Sequence, residues 1–176
     1  MLPSTHFELF NLPAAFAIDQ SRLDQAYRKL QAEVHPDRFA AAPAAERLRS
    51  MQLATQVNEA YQTLKSPLAR ARYLLQLNGV DTREETNTAM PPAFLMRQME
   101  WREAIEEAEQ AGDLAALDRL LAELRRETVA LTDALHAELD SAHDYAGAAE
   151  SVRKLRFLDK VQTEIEQAIE TLESHS

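Results

Sequence analysis

His35-Pro36-Asp37-Arg38-Phe39 separates two stretches of helical periodicity and decides how the first half of the chain is read. Proline lacks an amide hydrogen, fixes its own φ and biases the preceding residue away from the α region, so a helix arriving from Ser21 is expected to stop near His35. Asp37 suits a turn, because a short carboxylate accepts from neighbouring backbone amides. Upstream, Leu23, Tyr27, Leu30 and Val34 form one apolar stripe, with Arg22, Arg28 and Lys29 largely outside it. Downstream, a helix from about Ala44 to Leu64 carries Leu48, Met51, Val57, Tyr61 and Leu64, a set expected to pack back against the first. The expected product is a helical hairpin whose tip presents an imidazole, a carboxylate and a guanidinium, which is recognition chemistry more than catalysis.

Around this hairpin the spacing predicts a short helix near His6–Phe10, a loop with Pro13, and a cap at Asp19 or Ser21. Ser66-Pro67 opens another short helix that ends near Asn78-Gly79, with serine as cap and proline at the first helical position. Residues 79–91 hold glycine, several threonines, Asn87 and Pro91 without apolar period and read as a linker between a domain at 1–78 and another at 92–176. The second domain is expected to contain helices at about 92–110, 113–142 and 145–173, broken by Gly112-Asp113 and by Asp144–Gly147. In the middle helix Leu114, Leu117, Leu121, Leu124, Thr128, Leu131, Leu135 and Leu139 make a seam that fits an antiparallel three-helix bundle.

Composition agrees with an all-α chain. Among 176 residues there are only three glycines, many strong helix formers and no credible strand. The chain has no cysteine, which excludes a disulfide, a thiolate zinc site and a cysteine-ligated iron–sulfur cluster of its own. No basic leader with an apolar run and no membrane-length apolar stretch is visible, so a cytoplasmic protein is expected. The net charge of −10 is uneven: residues 1–77 hold nine Lys/Arg against seven Asp/Glu, and residues 78–176 hold ten against twenty-two. A strongly acidic longer half argues against a general nucleic-acid binder and for protein partners, one for each half.

The helix from Phe94 to Glu109 has one apolar stripe too many. At roughly 100° per residue, Phe94, Trp101, Ile105 and Ala108 share the bundle-facing side. Leu95, Met96 and Met99 fall mostly opposite, where Glu100, Glu103 and Glu107 continue the strip. An apolar patch bordered by acids is expected to be exposed, and flexible methionines suit a surface that accepts a partner. Phe157 lies off the core direction of the last helix and is expected to extend the patch. The competing reading is that Leu95, Met96, Met99 and Phe157 pack against the first domain. For the tip, the competing readings are a turn that merely caps two helices, and a metal or acid–base site. Against the latter, His6, His136, His143 and His175 are scattered and no third ligand has metal-site spacing. No phosphate loop, nucleophile elbow or zinc-protease pattern occurs, so no catalytic residue, metal or cofactor is expected.

Residues 1–77 resemble a J-domain, with His35-Pro36-Asp37 between its two long helices and Tyr61-Gln-Thr-Leu-Lys-Ser-Pro-Leu-Ala-Arg70 as its closing segment. Phe94-Leu-Met-Arg-Gln-Met-Glu and Lys154-Leu-Arg-Phe-Leu-Asp-Lys are similar to segments of the HscB family of iron–sulfur co-chaperones, so the resemblance spans nearly the whole chain and is of the bacterial type. It implies a non-enzymatic co-chaperone that stimulates the ATPase of an HscA-type chaperone and delivers an IscU-type iron–sulfur scaffold to it. By the same resemblance His35, Pro36, Asp37 and Arg38, with Arg22, Arg28 and Lys29, are expected to contact the chaperone. Leu95, Met96, Met99, Glu100, Glu103, Glu107 and Phe157 are expected to contact the scaffold. Arg97 stands where the family often has an acid, and Trp101 where it often has an aliphatic residue. A general J-domain adaptor for a different client is the alternative, and a metal-dependent enzyme the remote third.

Overall fold

A computed structural model describes residues 5–83 and 90–175, which divide into two compact units, Met1–Gly79 and Val80–Ser176. All regular elements among the described residues are helical. In the first unit they are α1 (His6–Leu9), α2 (Gln20–Val34), a 3₁₀ turn at Pro36–Phe39, α3 (Ala44–Lys65) and α4 (Pro67–Leu77). Short polar side chains start most of them: Asp19 accepts from the Arg22 amide at 3.1 Å and Ser66 from the Ala69 amide at 3.2 Å. Proline at the first position of α4 costs nothing there, since that amide has no helical partner.

The hairpin of α2 and α3 closes on Leu23, Val57, Ala60 and Leu64, all buried. Leu48 and Met51 do not join this core and remain 57% and 56% exposed. The reason is register. Ser50 is the buried residue of that turn, donating to the Val34 carbonyl at 2.8 Å, and Leu48 and Met51 lie roughly 160° and 100° away from it around the helix. Farther along, Tyr27 and Tyr61 stack at 3.9 Å between ring centroids, and each hydroxyl crosses to the other helix. Tyr27 donates to Asn58 at 2.7 Å and Tyr61 to Asp24 at 2.8 Å. Arg70 was not foreseen as a core residue, yet it is buried: Nε donates to the Phe16 carbonyl and Nη1 to the Leu64 carbonyl, both at 2.7 Å, and the guanidinium lies over the Phe16 ring. It ties the loop before α2, the end of α3 and α4 together.

The second unit contains α5 (Pro92–Ala111), α6 (Leu114–His136) with a π turn at Ala137–Ala142, and α7 (Tyr145–Ser174). Of the stretch expected as a linker, residues 84–89, including Asn87, lie outside the described residues. Thr82, in the same stretch, is buried, and its carbonyl accepts from Arg153 of α7 at 3.1 Å. Gly112 ends α5 with φ of 63°, the left-handed conformation that a side chain disfavours, and Asp113 then caps α6. The core joins Phe94, Trp101, Ile105 and Ala108 of α5 to Leu117, Leu121 and Leu124 of α6 and Leu158, Val161 and Ile165 of α7.

The middle helix expected over 113–142 is α-helical only to His136. The π turn widens the backbone spiral for one turn, buries Leu139 and lets Glu138 accept from Ser151 of α7 at 2.8 Å. Gly147 faces this turn, and a Cβ there would press on the carboxylate ends of Asp144 and, at 2.6 Å, Glu138.

Candidate functional site

Two surfaces are candidates, one in each unit, and each follows from local chain physics. At the hairpin tip α2 ends at Val34, and His35 adopts φ of −59° and ψ of 132°, the extended conformation that a following proline favours. The turn is pinned by the histidine and not by the aspartate: Nδ1 of His35 accepts from the Asp37 amide at 3.2 Å. This corrects the expectation that the Asp37 carboxylate would cap the turn, since that side chain is 94% exposed and points outward. Its Oδ2 lies 3.7 Å from Nδ1, but a nitrogen that accepts an amide hydrogen is not also an ion-pair donor, so we read the hydrogen bond as the interaction present. The proton of neutral His35 therefore resides on Nε2, free to donate to a partner. Arg38 is exposed beside it, and Arg22, Arg28 and Lys29 are exposed along α2. The Ser50 bond to the Val34 carbonyl anchors the base of the turn.

On α5, Leu95, Met96 and Met99 are 41%, 63% and 72% exposed, and Glu100, Glu103 and Glu107 are exposed along the same helix. Burial of Phe94, Trp101, Ile105 and Ala108 rolls the helix to this angle. Phe157, expected as an open extension of the strip, is half-buried at the edge of the core. Its ring lies 5.8 Å from Phe94, edge-on, and 6.3 Å from Trp101, stacked. Only part of it reaches the surface.

Cations cover this aromatic cluster. The Arg97 guanidinium lies 4.6 Å from the Trp101 centroid, Arg102 lies 5.6 Å from Phe157, and Lys154 lies 5.6 Å from Phe94. Both arginines of α5 are also engaged across the bundle, Arg97 with Glu127 of α6 at 2.6 Å and Arg102 with Glu164 of α7 at 2.9 Å. The Trp101 indole donates to Glu123 at 3.2 Å. Arg97 and Trp101, the two positions expected from the resemblance to depart from the family pattern, thus form one contact group. The i, i+4 spacing of Arg97 and Trp101 was visible in the sequence, but their acidic partners on α6 were not. Among the described residues no group of three or more histidines, aspartates and glutamates has the geometry of a metal site, and no helix is long and apolar enough to cross a membrane.

The DnaJ domain family model matches residues 5–73, and the model described as HSCB C-terminal oligomerisation domain matches residues 90–166. The chain is 59% identical over 172 residues to the co-chaperone protein HscB homolog of Burkholderia mallei, covering 98% of each. The Burkholderia multivorans homolog is 57% identical over 173 residues, again with 98% of each covered. Among solved structures, chaperone HscB from Vibrio cholerae superposes with a TM-score of 0.85 at 40% identity, covering 96% of this chain and 99% of that one. Human co-chaperone protein HscB gives a TM-score of 0.89 at 31% identity, covering 95% and 83%.

Proposed function

Since this chain belongs to the HscB family of J-domain co-chaperones, we propose that it serves iron–sulfur cluster assembly by coupling an HscA-type ATPase chaperone to an IscU-type scaffold. In this reading the unit at 1–78 addresses the chaperone through His35, Pro36, Asp37 and Arg38, supported by Arg22, Arg28 and Lys29. The bundle at 92–176 holds the scaffold through Leu95, Met96, Met99, Glu100, Glu103, Glu107 and the exposed part of Phe157. The observation that carries it is the presence, on one chain, of an outward-pointing His-Pro-Asp turn and an exposed apolar strip bordered by acids.

The chain supplies no reacting group in this mechanism. His35 offers its Nε2 edge, Asp37 a carboxylate and Arg38 a guanidinium to the ATPase, while the strip tethers the scaffold and raises its concentration at the chaperone. ATP hydrolysis belongs to the partner. The cytoplasmic location expected from the sequence is part of the same proposal.

The test is ATP turnover by the chaperone, with and without scaffold, comparing the natural chain with His35→Gln and with Leu95/Met96/Met99→Ala. His35→Gln is expected to bring turnover to the basal rate with scaffold binding unchanged. The triple variant is expected to keep scaffold-independent stimulation and lose scaffold binding by a factor on the order of one hundred, from about 1 kcal/mol of apolar contact per side chain. Phe157 is left out of the triple because its ring is built into the core edge. Stimulation of the chaperone without scaffold capture would favour a J-domain adaptor for another client. Absence of stimulation by the folded natural chain would overturn the proposal.

A further inference from the structure

Arg97 lies between the side chains of the proposed scaffold strip in sequence, one residue from Met96 and three from Glu100, yet its charge is directed away from the strip. Residues three apart on a helix are surface neighbours, so Glu100 is the ion-pair partner that α5 itself offers to Arg97. The structure shows a different pairing, with Glu127 of α6 at 2.6 Å. The guanidinium lies over Trp101, 4.6 Å from its centroid, and Glu123, which accepts from the Trp101 indole, is a second acid against the same ring. Arg102, the other arginine of α5, is likewise drawn off to Glu164 of α7. Among the described residues Glu100, Glu103 and Glu107 make no ion pair.

We propose that Glu127, with Glu123 behind it, is a positioning residue for the scaffold-binding strip: it holds Arg97 against Trp101 and thereby keeps the guanidinium from neutralising Glu100. The inference rests on the reading of the strip as the scaffold surface and names a second layer beneath it. Glu127 touches no partner in this scheme. Its effect travels through the side-chain geometry of Arg97, which leaves Glu100 without a direct ion pair and keeps most of the strip's negative charge for a basic partner surface. Supporting this, the acids around the guanidinium raise its pKa above the ordinary arginine value, with the Glu127 hydrogen bond the largest cause and Glu123 and Glu100 contributing smaller attractions.

A double-mutant cycle on the full-length chain tests it, with affinity for purified IscU-type scaffold as the readout. Four chains are compared at low and high salt: natural, Arg97→Gln, Glu123→Gln/Glu127→Gln, and the combination. Removing the α6 acids is expected to weaken binding about two- to fivefold at low salt, the range of a solvent-exposed charge pair, and less at high salt. Adding Arg97→Gln in that background is expected to restore the affinity, whereas Arg97→Gln alone changes it less than about twofold. Glu127→Asp, which keeps the charge, is expected to bind like the natural chain.

Equal effects of Arg97→Gln in both backgrounds would mean simple additive charge and would overturn the proposal, as would natural affinity in the α6 variant. Leu95/Met96/Met99→Ala runs in parallel. If that variant binds scaffold normally, the strip reading itself fails; if it loses binding while the cycle shows no coupling, only the role of Glu127 fails. Melting temperatures of all variants separate altered affinity from altered folding.

Discussion

Both units close on fully buried apolar side chains, and they differ in the polar clasps added to that core. In the bundle Leu117, Leu124, Leu158, Val161 and Ile165 are all fully buried, and the polar groups lie mainly at its rim. In the hairpin unit an arginine is buried in a clasp on two backbone carbonyls, a serine pins the turn, and two stacked tyrosines exchange hydroxyl bonds across the helices. The difference matches where each carries its proposed contact residues. A surface turn needs only a firm base, which a few directed hydrogen bonds provide. A helical strip needs its whole helix rolled to one angle, and only interdigitated apolar packing over several turns enforces that.

The contrast breaks most visibly if a core leucine of the bundle proves dispensable. Leu124→Ala is expected to cost about 2–5 kcal/mol of bundle stability in denaturant unfolding and leave hairpin unfolding unchanged; a loss below about 1 kcal/mol would show that apolar packing is not what closes this unit. Arg70→Met, which keeps much of the volume and removes the donors to the Phe16 and Leu64 carbonyls, is expected to cost the hairpin unit about 1–3 kcal/mol, because buried acceptors lose their partners. An unchanged melting temperature would reassign Arg70 to packing alone.

The smallest expected effect is a pH dependence confined to the hairpin unit. His6 stacks on Tyr73 at 4.4 Å, and burial lowers its pKa below the usual 6.5, with Glu59 pulling the other way. The unfolded chain then binds the proton more readily than the folded one. Stability is complete above 6.5 and falls as the pH drops through that value towards the lower folded pKa. His6→Gln is expected to flatten that slope without altering the bundle.

Much of the fold was legible because its signals are local. Pro36 stops α2, Ser66-Pro67 starts α4, Gly112-Asp113 separates α5 from α6, and the leucine seam of α6 sets its buried face. The helical wheel of α5 separated the buried line at Phe94, Trp101, Ile105 and Ala108 from exposed Leu95, Met96 and Met99. What was not legible depended on groups distant in sequence. Leu48 and Met51 have core chemistry, but the register fixed by Ser50 and Val34 turns them outward. Arg70 reads as a surface cation until the carbonyl of Phe16, fifty-four positions away, is brought to it. Phe157 reads as exposed until the rings of Phe94 and Trp101 close over it. The turn was expected to be held by the Asp37 carboxylate accepting from nearby amides, but His35 Nδ1 accepts the Asp37 amide hydrogen instead.

Trp101 gives the bundle an optical property that the hairpin lacks. It is the single tryptophan of the chain, it is 4% exposed, and its ring stacks with Phe157 and carries the Arg97 guanidinium 4.6 Å from its centroid. Red-edge excitation therefore interrogates one ring in one unit, with the tyrosines dark. Emission from that ring is sensitive to the Arg97 and Phe157 groups against it, so the natural chain carries its own fluorophore for following the proposed occupancy of the strip in real time, without a dye.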